Sequence, residues 1–93
     1  MDFNMKNIVI YTQDLCGYCD AAKNEFKARD WPYTSHNIKH EDNKNALMEL
    51  LPEAKTVPQI WIENEHIGGY DELIRWIASN NSTREELFLT RMV

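Results

Sequence analysis

The chain is short of most of what specialised architectures require. Its 93 residues include two cysteines, three prolines and three glycines, and no apolar run approaches the roughly 20 residues that span a bilayer. Two cysteines separated by two residues make a poor staple, because the loop they close is tiny and disulfide stabilisation grows with loop length. Positive charge is also in deficit: ten Lys and Arg against fifteen Asp and Glu leave a formal charge of −5, with the two signs interleaved rather than blocked. A nucleic-acid binder needs a basic face to displace counterions from phosphates, and an electrostatic membrane anchor needs a similar patch, so neither partner is expected. The segment Met1 to Lys6 lacks a basic stretch followed by a long apolar run, so no secretory leader is expected either. Pro/Gly/Ser-rich and low-complexity tracts are absent, and halving so short a chain would leave two inadequate cores. These absences predict one domain over residues 1–93, in a reducing and therefore cytoplasmic compartment.

What is present is a sequence of well-punctuated elements. Lys6 to Thr12 is nearly continuous apolar and β-rich, as expected of a central strand covered on both faces. Gln13-Asp14-Leu15 reads as a turn, and Cys16 to Arg29 as a helix with Ala22 and Phe26 on one side, stopped by Trp31-Pro32. Tyr33 to Lys39 predicts a second strand. A helix opened by Glu41, Asp42 and Asn43 follows, with Ala46, Leu47, Leu50 and Leu51 as its buried stripe and Pro52 as its end. Gln59 to Glu63 alternates as a strand, Asn64-Glu65 reads as a hairpin turn, and His66 to Gly68 as its return strand. Gly69 then opens a helix burying Leu73, Ile74, Trp76 and Ile77. A capping-box pattern at Ser82 to Glu86 predicts a further C-terminal helix over about 82–92, outside a core of about 6–79. The predicted class is α/β: a four-stranded mixed sheet in the order β-α-β-α-β-β-α, with two parallel strands joined by a right-handed crossover and then an antiparallel hairpin.

Cys16-Gly17-Tyr18-Cys19 falls where a buried strand gives way to a helix. Amides at a helix start have no intrahelical partner and the dipole there favours negative charge, so a thiol at this point is expected to ionise below the ordinary cysteine range. Only the thiolate attacks a disulfide. Residues i and i+3 of a helix lie about 5–6 Å apart on one face, within disulfide reach, so Cys19 can displace whatever is joined to Cys16. Cys16, nearer the tip, is the expected nucleophile and Cys19 the resolving thiol. Tyr18 offers a ring and hydroxyl to line a groove. The alternatives are two inert buried cysteines, or half of a zinc site. Zinc needs two further ligands, and His36, His40 and His66 show no tight ligand spacing, so no metal is expected.

Three segments together resemble the glutaredoxin family: the CGYC motif, Thr56-Val57-Pro58-Gln59, and Gly68-Gly69-Tyr70-Asp71-Glu72-Leu73. The resemblance runs from about residue 6 to residue 79. It implies a thioredoxin fold in which the Val57-Pro58 bond is cis, Pro58 lies against the cysteine pair, and the Val57 backbone faces an extended substrate. It implies glutathione as reductant or co-substrate, with Gly69, Tyr70 and Asp71 at a helix start able to receive the γ-glutamyl carboxylate, and Asp71 able to accept from its amino group. A structural role for Asp71 as a first-turn acid is equally open.

Two departures from the family pattern matter. Gln13 stands where relatives often carry Lys or Arg, and Asp14 and Asp20 add negative charge, so weaker glutathione affinity is expected unless Lys55 or Lys23 compensates. Gly17 stands where many dithiol relatives have proline, a change that in the family accompanies altered redox poise or a [2Fe–2S] cluster shared between two protomers with glutathione. The expected function is therefore glutathione-dependent reduction of protein disulfides and glutathione mixed disulfides by a monomer, with a cluster-carrying dimer as the alternative. Family-level partners include a ribonucleotide reductase as protein substrate and a flavoprotein reductase as another electron source.

Overall fold

A computed structural model describes residues 7–79 of the chain. Its elements are β1 (Ile8–Thr12), α1 (Gly17–Ala28), β2 (Thr34–Asn37), α2 (Glu41–Leu50), β3 (Gln59–Ile62), β4 (Glu65–Gly68) and α3 (Tyr70–Ile77). The strands form one sheet in the order β2-β1-β3-β4, with β1 parallel to β2 and antiparallel to β3, and β3 antiparallel to β4. This is the expected mixed sheet, with the two most apolar strands at its centre. The C-terminal helix expected over about 82–92 lies outside the described residues.

Strand alternation divides the sheet into two faces. Ile8 and Ile10 of β1 pair with Ile62 and Ile60 of β3, and all four are buried beneath Ala22 and Phe26 of α1 and Leu73 and Ile77 of α3. The opposite face carries Val9, Tyr11, Gln59 and Trp61, with α2 against β2 at one side. The core thus anchors α1 and α3 side by side on one face, which brings their amino ends together at the carboxyl end of β1.

Several boundaries differ from the sequence reading. Helix α1 stops at Ala28, before Trp31-Pro32 can act, because Asp30 adopts a left-handed conformation (φ 60°). The Trp31 amide then reaches back to the Phe26 carbonyl at 2.9 Å and the Asp30 amide to Lys27 at 3.1 Å. That pairing satisfies carbonyls a helix end leaves open, with aspartate in the place glycine usually takes. The hairpin turn is Glu63-Asn64, with φ of 55° and 69°, rather than Asn64-Glu65, so β4 begins one residue earlier than expected. A two-residue turn with positive φ at both central residues matches the strand twist, and the Ile62 to Glu65 pairing places Glu63 and Asn64 there. In α2 only Leu47 is buried. Leu50 is 56% exposed, because the helix rests on one edge strand and not on a layer. Ile74 of α3 likewise turns outward, leaving Leu73 and Ile77 as the residues that enter the core.

Candidate active site

The site is assembled where β1 ends. After Thr12 the chain turns through Asp14, whose carboxylate accepts from the Asn37 amide at 2.8 Å and the Lys39 ammonium at 3.2 Å. These partners hold Asp14 below its ordinary pKa, the Asn37 hydrogen bond most of all. They also tie the turn to the end of β2. Leu15, next in the chain, is fully exposed and sits at φ 54°, an uncommon place for a bulky residue.

Cys16 is not the first helical residue, as the sequence suggested, but the N-cap of α1, with extended φ and ψ of −117° and 106°. In that position its sulfur does what a serine or aspartate oxygen does at other helix starts: it accepts the Cys19 amide, at 3.1 Å. Cys19 sits at N3 and the two Cα atoms are 5.2 Å apart, joined here as a disulfide. Their environments are unequal. Cys16 is half-buried, whereas Cys19 has no exposed surface, so a sulfur arriving from outside meets Cys16.

Facing Cys16 is the loop before β3. The Val57-Pro58 bond is cis, Pro58 is buried, and the Val57 carbonyl oxygen lies 3.9 Å from Cys16 Sγ. On one side of this loop a cavity of about 300 Å³ is lined by Tyr18, Thr56, Val57, Pro58, Gly69, Tyr70, Asp71 and Glu72. On the other side a second cavity of about 350 Å³ includes Gln13, Lys55, Thr56 and Val57. Tyr18, Thr56, Val57, Pro58, Gly69, Tyr70 and Asp71, which the sequence reading places around a glutathione site, thus share the first cavity, while Gln13 and Lys55 fall in the second. Lys23, the other candidate cation, lines neither.

The amino end of α3 closes the first cavity. Gly68 has φ 119°, and a β-carbon there would stand 2.9 Å from Glu72 Cγ, so only glycine fits. Gly69 is the N-cap, and its amide donates to Glu72 Oε1 at 2.9 Å. Glu72 is held below the ordinary glutamate value, first by its own backbone amide and then by that of Gly69, with Arg75 adding a smaller effect. Sequence reading assigned the Gly69 amide to an incoming carboxylate. The structure spends it on Glu72, leaving the next amides, of Tyr70 and Asp71, as first-turn donors without an intrahelical partner. Glu72 was missed, although an acid three residues after an N-cap is half of a capping box.

The side wall is aromatic. Tyr18, 66% exposed, stacks on Tyr70 with ring centroids 5.9 Å apart and planes 28° from parallel. The Tyr70 hydroxyl donates to Glu25 Oε2 at 3.3 Å, and Glu25 in turn pairs with Arg29 at 2.7 Å. Desolvation of the half-buried ring and the nearby Glu25 carboxylate raise the Tyr70 pKa, so the phenol stays protonated. Among the described residues no group of three or more His, Cys, Asp or Glu side chains gathers as a metal site.

A capping sulfur that outside groups can reach, backed by a buried partner three residues on, has one evident chemistry, which is exchange with another disulfide. Set in this sheet opposite a cis-proline loop, it defines the class of thiol–disulfide oxidoreductases with the thioredoxin fold.

Comparison with known proteins narrows the class. Residues 8–67 match the family model described as Glutaredoxin, and the chain belongs to that family. Glutaredoxin 3 of Escherichia coli K12 is 36% identical over 69 residues, which cover 74% of this chain and 83% of that protein. Glutaredoxin-C4 of Arabidopsis thaliana is 37% identical over 71 residues, covering 72% of this chain but 52% of the relative. The chain therefore spans about half the length of that protein. Among solved structures, glutaredoxin 1 from Francisella tularensis complexed with cacodylate superposes with a TM-score of 0.66 at 30% identity, covering 80% of this chain and 93% of the other. The buckwheat glutaredoxin–glutathione complex superposes with a TM-score of 0.64 at 27% identity, covering 75% and 66% respectively.

Proposed function

We propose that this thiol–disulfide oxidoreductase works with glutathione, reducing glutathione mixed disulfides and protein disulfides. The observation that carries the reading is the inequality of the two sulfurs: Cys16 is reachable and capped by an amide, while Cys19 is sealed behind it. The adjoining cavity has an apolar aromatic wall and first-turn helix amides at its far end, a match for a γ-glutamyl peptide tethered through sulfur. The buckwheat relative solved with glutathione supports the same ligand.

In the reaction, the Cys16 thiolate attacks the glutathione sulfur of a mixed disulfide. The old S–S bond breaks, the released thiolate takes a proton from solvent, and glutathione is left bonded to Cys16. A second glutathione thiolate then attacks its bound counterpart, releasing oxidised glutathione and restoring Cys16. With a protein disulfide the mixed species is instead resolved by Cys19, giving the Cys16–Cys19 disulfide, which two glutathiones reduce by supplying two electrons. The remaining assignments belong to the same reading: Asp71 takes the glutathione amino group, Lys55 stands in for the basic residue replaced by Gln13, and a monomer acts in the cytoplasm on substrates such as ribonucleotide reductase.

Two variants test the reading against a glutathione mixed disulfide and a protein disulfide, with glutathione or a flavoprotein reductase as donor. Cys16→Ser is expected to lose all turnover, and residual turnover would remove Cys16 from the nucleophile's place. Cys19→Ser is expected to lose protein-disulfide reduction and keep deglutathionylation. Reduction by the flavoprotein alone would reassign the electron donor. A brown, dimeric protein after anaerobic reconstitution with iron and sulfide would favour cluster carriage instead.

A further inference from the structure

The loop facing Cys16 is held from behind by a side chain that lines neither of the two cavities described above, but a third, on the far side of the loop, that Gln59 shares with Thr56 and His66. Gln59, first residue of β3, is 9% exposed and has both ends of its amide engaged. Its Nε2 donates to the Thr56 carbonyl at 3.0 Å, and its Oε1 lies 2.9 Å from His66 Nε2 on β4. The Thr56 carbonyl can only accept, so the amide's NH₂ must face it and its oxygen must face the histidine. His66 therefore carries a proton on Nε2. Trp61, the cross-strand partner of His66, packs against the imidazole at 4.7 Å between centroids, and Tyr11 packs against Trp61 at 5.7 Å. The edge strand thus presents a fixed donor to a buried amide, and that amide presents a fixed donor to the loop.

The carbonyl so held belongs to a particular peptide unit. Thr56 C=O and Val57 N–H share one planar amide, and the cis bond lies one residue later, between Val57 and Pro58. In a trans unit the two groups point in opposite directions, so fixing the oxygen toward Gln59 fixes the Val57 N–H away from it. Val57 is also the residue whose carbonyl stands beside Cys16 Sγ and whose surface both cavities share.

We propose that Gln59 is a positioning residue for disulfide exchange, orienting the Val57 amide that pairs with the substrate backbone, and that His66 acts only through Gln59. The assignment rests on the reading that substrate lies along Val57. It makes Gln59 a determinant of substrate binding rather than of thiolate formation, since no bond connects it to Cys16.

The experiment measures KM and kcat for a glutathione mixed disulfide, the pH profile of Cys16 alkylation by iodoacetamide, and thermal stability, in Gln59→Met, His66→Ala and the double variant. Gln59→Met keeps the volume and removes the donor. It is expected to raise KM about tenfold, the equivalent of one hydrogen bond, with kcat within about twofold and the alkylation profile unmoved. His66→Ala is expected to raise KM about threefold, and the double variant to match Gln59→Met alone. A folded Gln59→Met with wild-type KM, or effects that multiply in the double variant, would overturn the proposal. Should Gln59→Met fail to fold, His66→Ala decides: a raised KM at unchanged stability supports the relay, and an unchanged KM sinks it. If the wild type does not turn over glutathione mixed disulfides at all, the glutathione reading fails first. The same three variants are then compared on a peptide disulfide, where the same KM pattern is required.

Discussion

At the scale of single residues, the active-site approach stores a visible local cost. Leu15 is held at positive φ between the anchored Asp14 turn and the helix cap, and its side chain stands wholly in water. For an L-residue with a bulky side chain this conformation costs about 1–2 kcal/mol, whereas asparagine adopts it readily. Leu15→Asn is therefore expected to stabilise the fold by roughly 0.5–1 kcal/mol in urea unfolding, most of the strain returning as stability. Unchanged or lower stability would show that Leu15 repays its strain by contacts not evident from its exposure. Cys16 illustrates the opposite economy, because in the proposed reaction one sulfur serves as helix cap and as nucleophile, so the same amide that finishes the helix favours the thiolate.

At the scale of elements, the two helix starts that meet at the site are built differently. Gly17 is the first residue of α1, a β-carbon there would meet nothing within 4 Å, and Cys16 before it is extended. All three conditions suit proline, which lacks an amide that this position leaves open and accepts an extended predecessor. Gly17→Pro is expected to add about 0.4–1 kcal/mol of stability by restricting the unfolded chain, measured by chemical denaturation. Helix α3 depends instead on Glu72. Its folded pKa lies below the ordinary 4.5, so its contribution is complete above that value and disappears as pH falls through the folded pKa. Asp14, lowered from 3.8, acts in the same direction. Stability should thus decline on acidification below about pH 4.5, and Glu72→Gln should flatten that decline while lowering stability at pH 7. An acid limb of the same steepness in both proteins would show that Glu72 does not cap α3.

At the scale of the whole molecule, charge sets the terms of encounter. A formal charge of −5 repels an anionic glutathione conjugate, Gln13 provides no cation at the turn before Cys16, and Asp71 and Glu72 line the cavity. The repulsion acts over a Debye length of about 30 Å at 0.01 M salt and about 8 Å at 0.15 M. Turnover of an anionic mixed disulfide, read as kcat/KM, is therefore expected to rise with ionic strength over that range. A fall would mean that Lys55 and its neighbours attract more strongly than the net charge repels. The fold tolerates this charge because its stability resides elsewhere, in the layer where Ile8, Ile10, Ile60 and Ile62 meet Phe26, Leu73 and Ile77.

The sequence by itself determined the class of sheet, the order of its elements and the chemistry of the cysteine pair. Strand β1, helix α1 and the CxxC spacing are local properties, set by side-chain period and by i, i+3 geometry within a few residues of chain. Conformations that depend on neighbours were decided only in three dimensions. Glu63 takes positive φ against its residue preference because the hairpin register demands it, and Asp30, of a type that tolerates that region better, takes it at a packed helix end. Leu50 and Ile74 are exposed because burial depends on what lies opposite, which periodicity does not record. Cys19 became the sealed partner and Gln59 reached His66 on the neighbouring strand because folding brings those atoms together, whereas the Gly69–Glu72 bond spans three residues and is legible as half of a capping box. The residue types that do the chemistry are written in the chain, while which of their donors and acceptors remain open to a substrate is a property of the assembled fold.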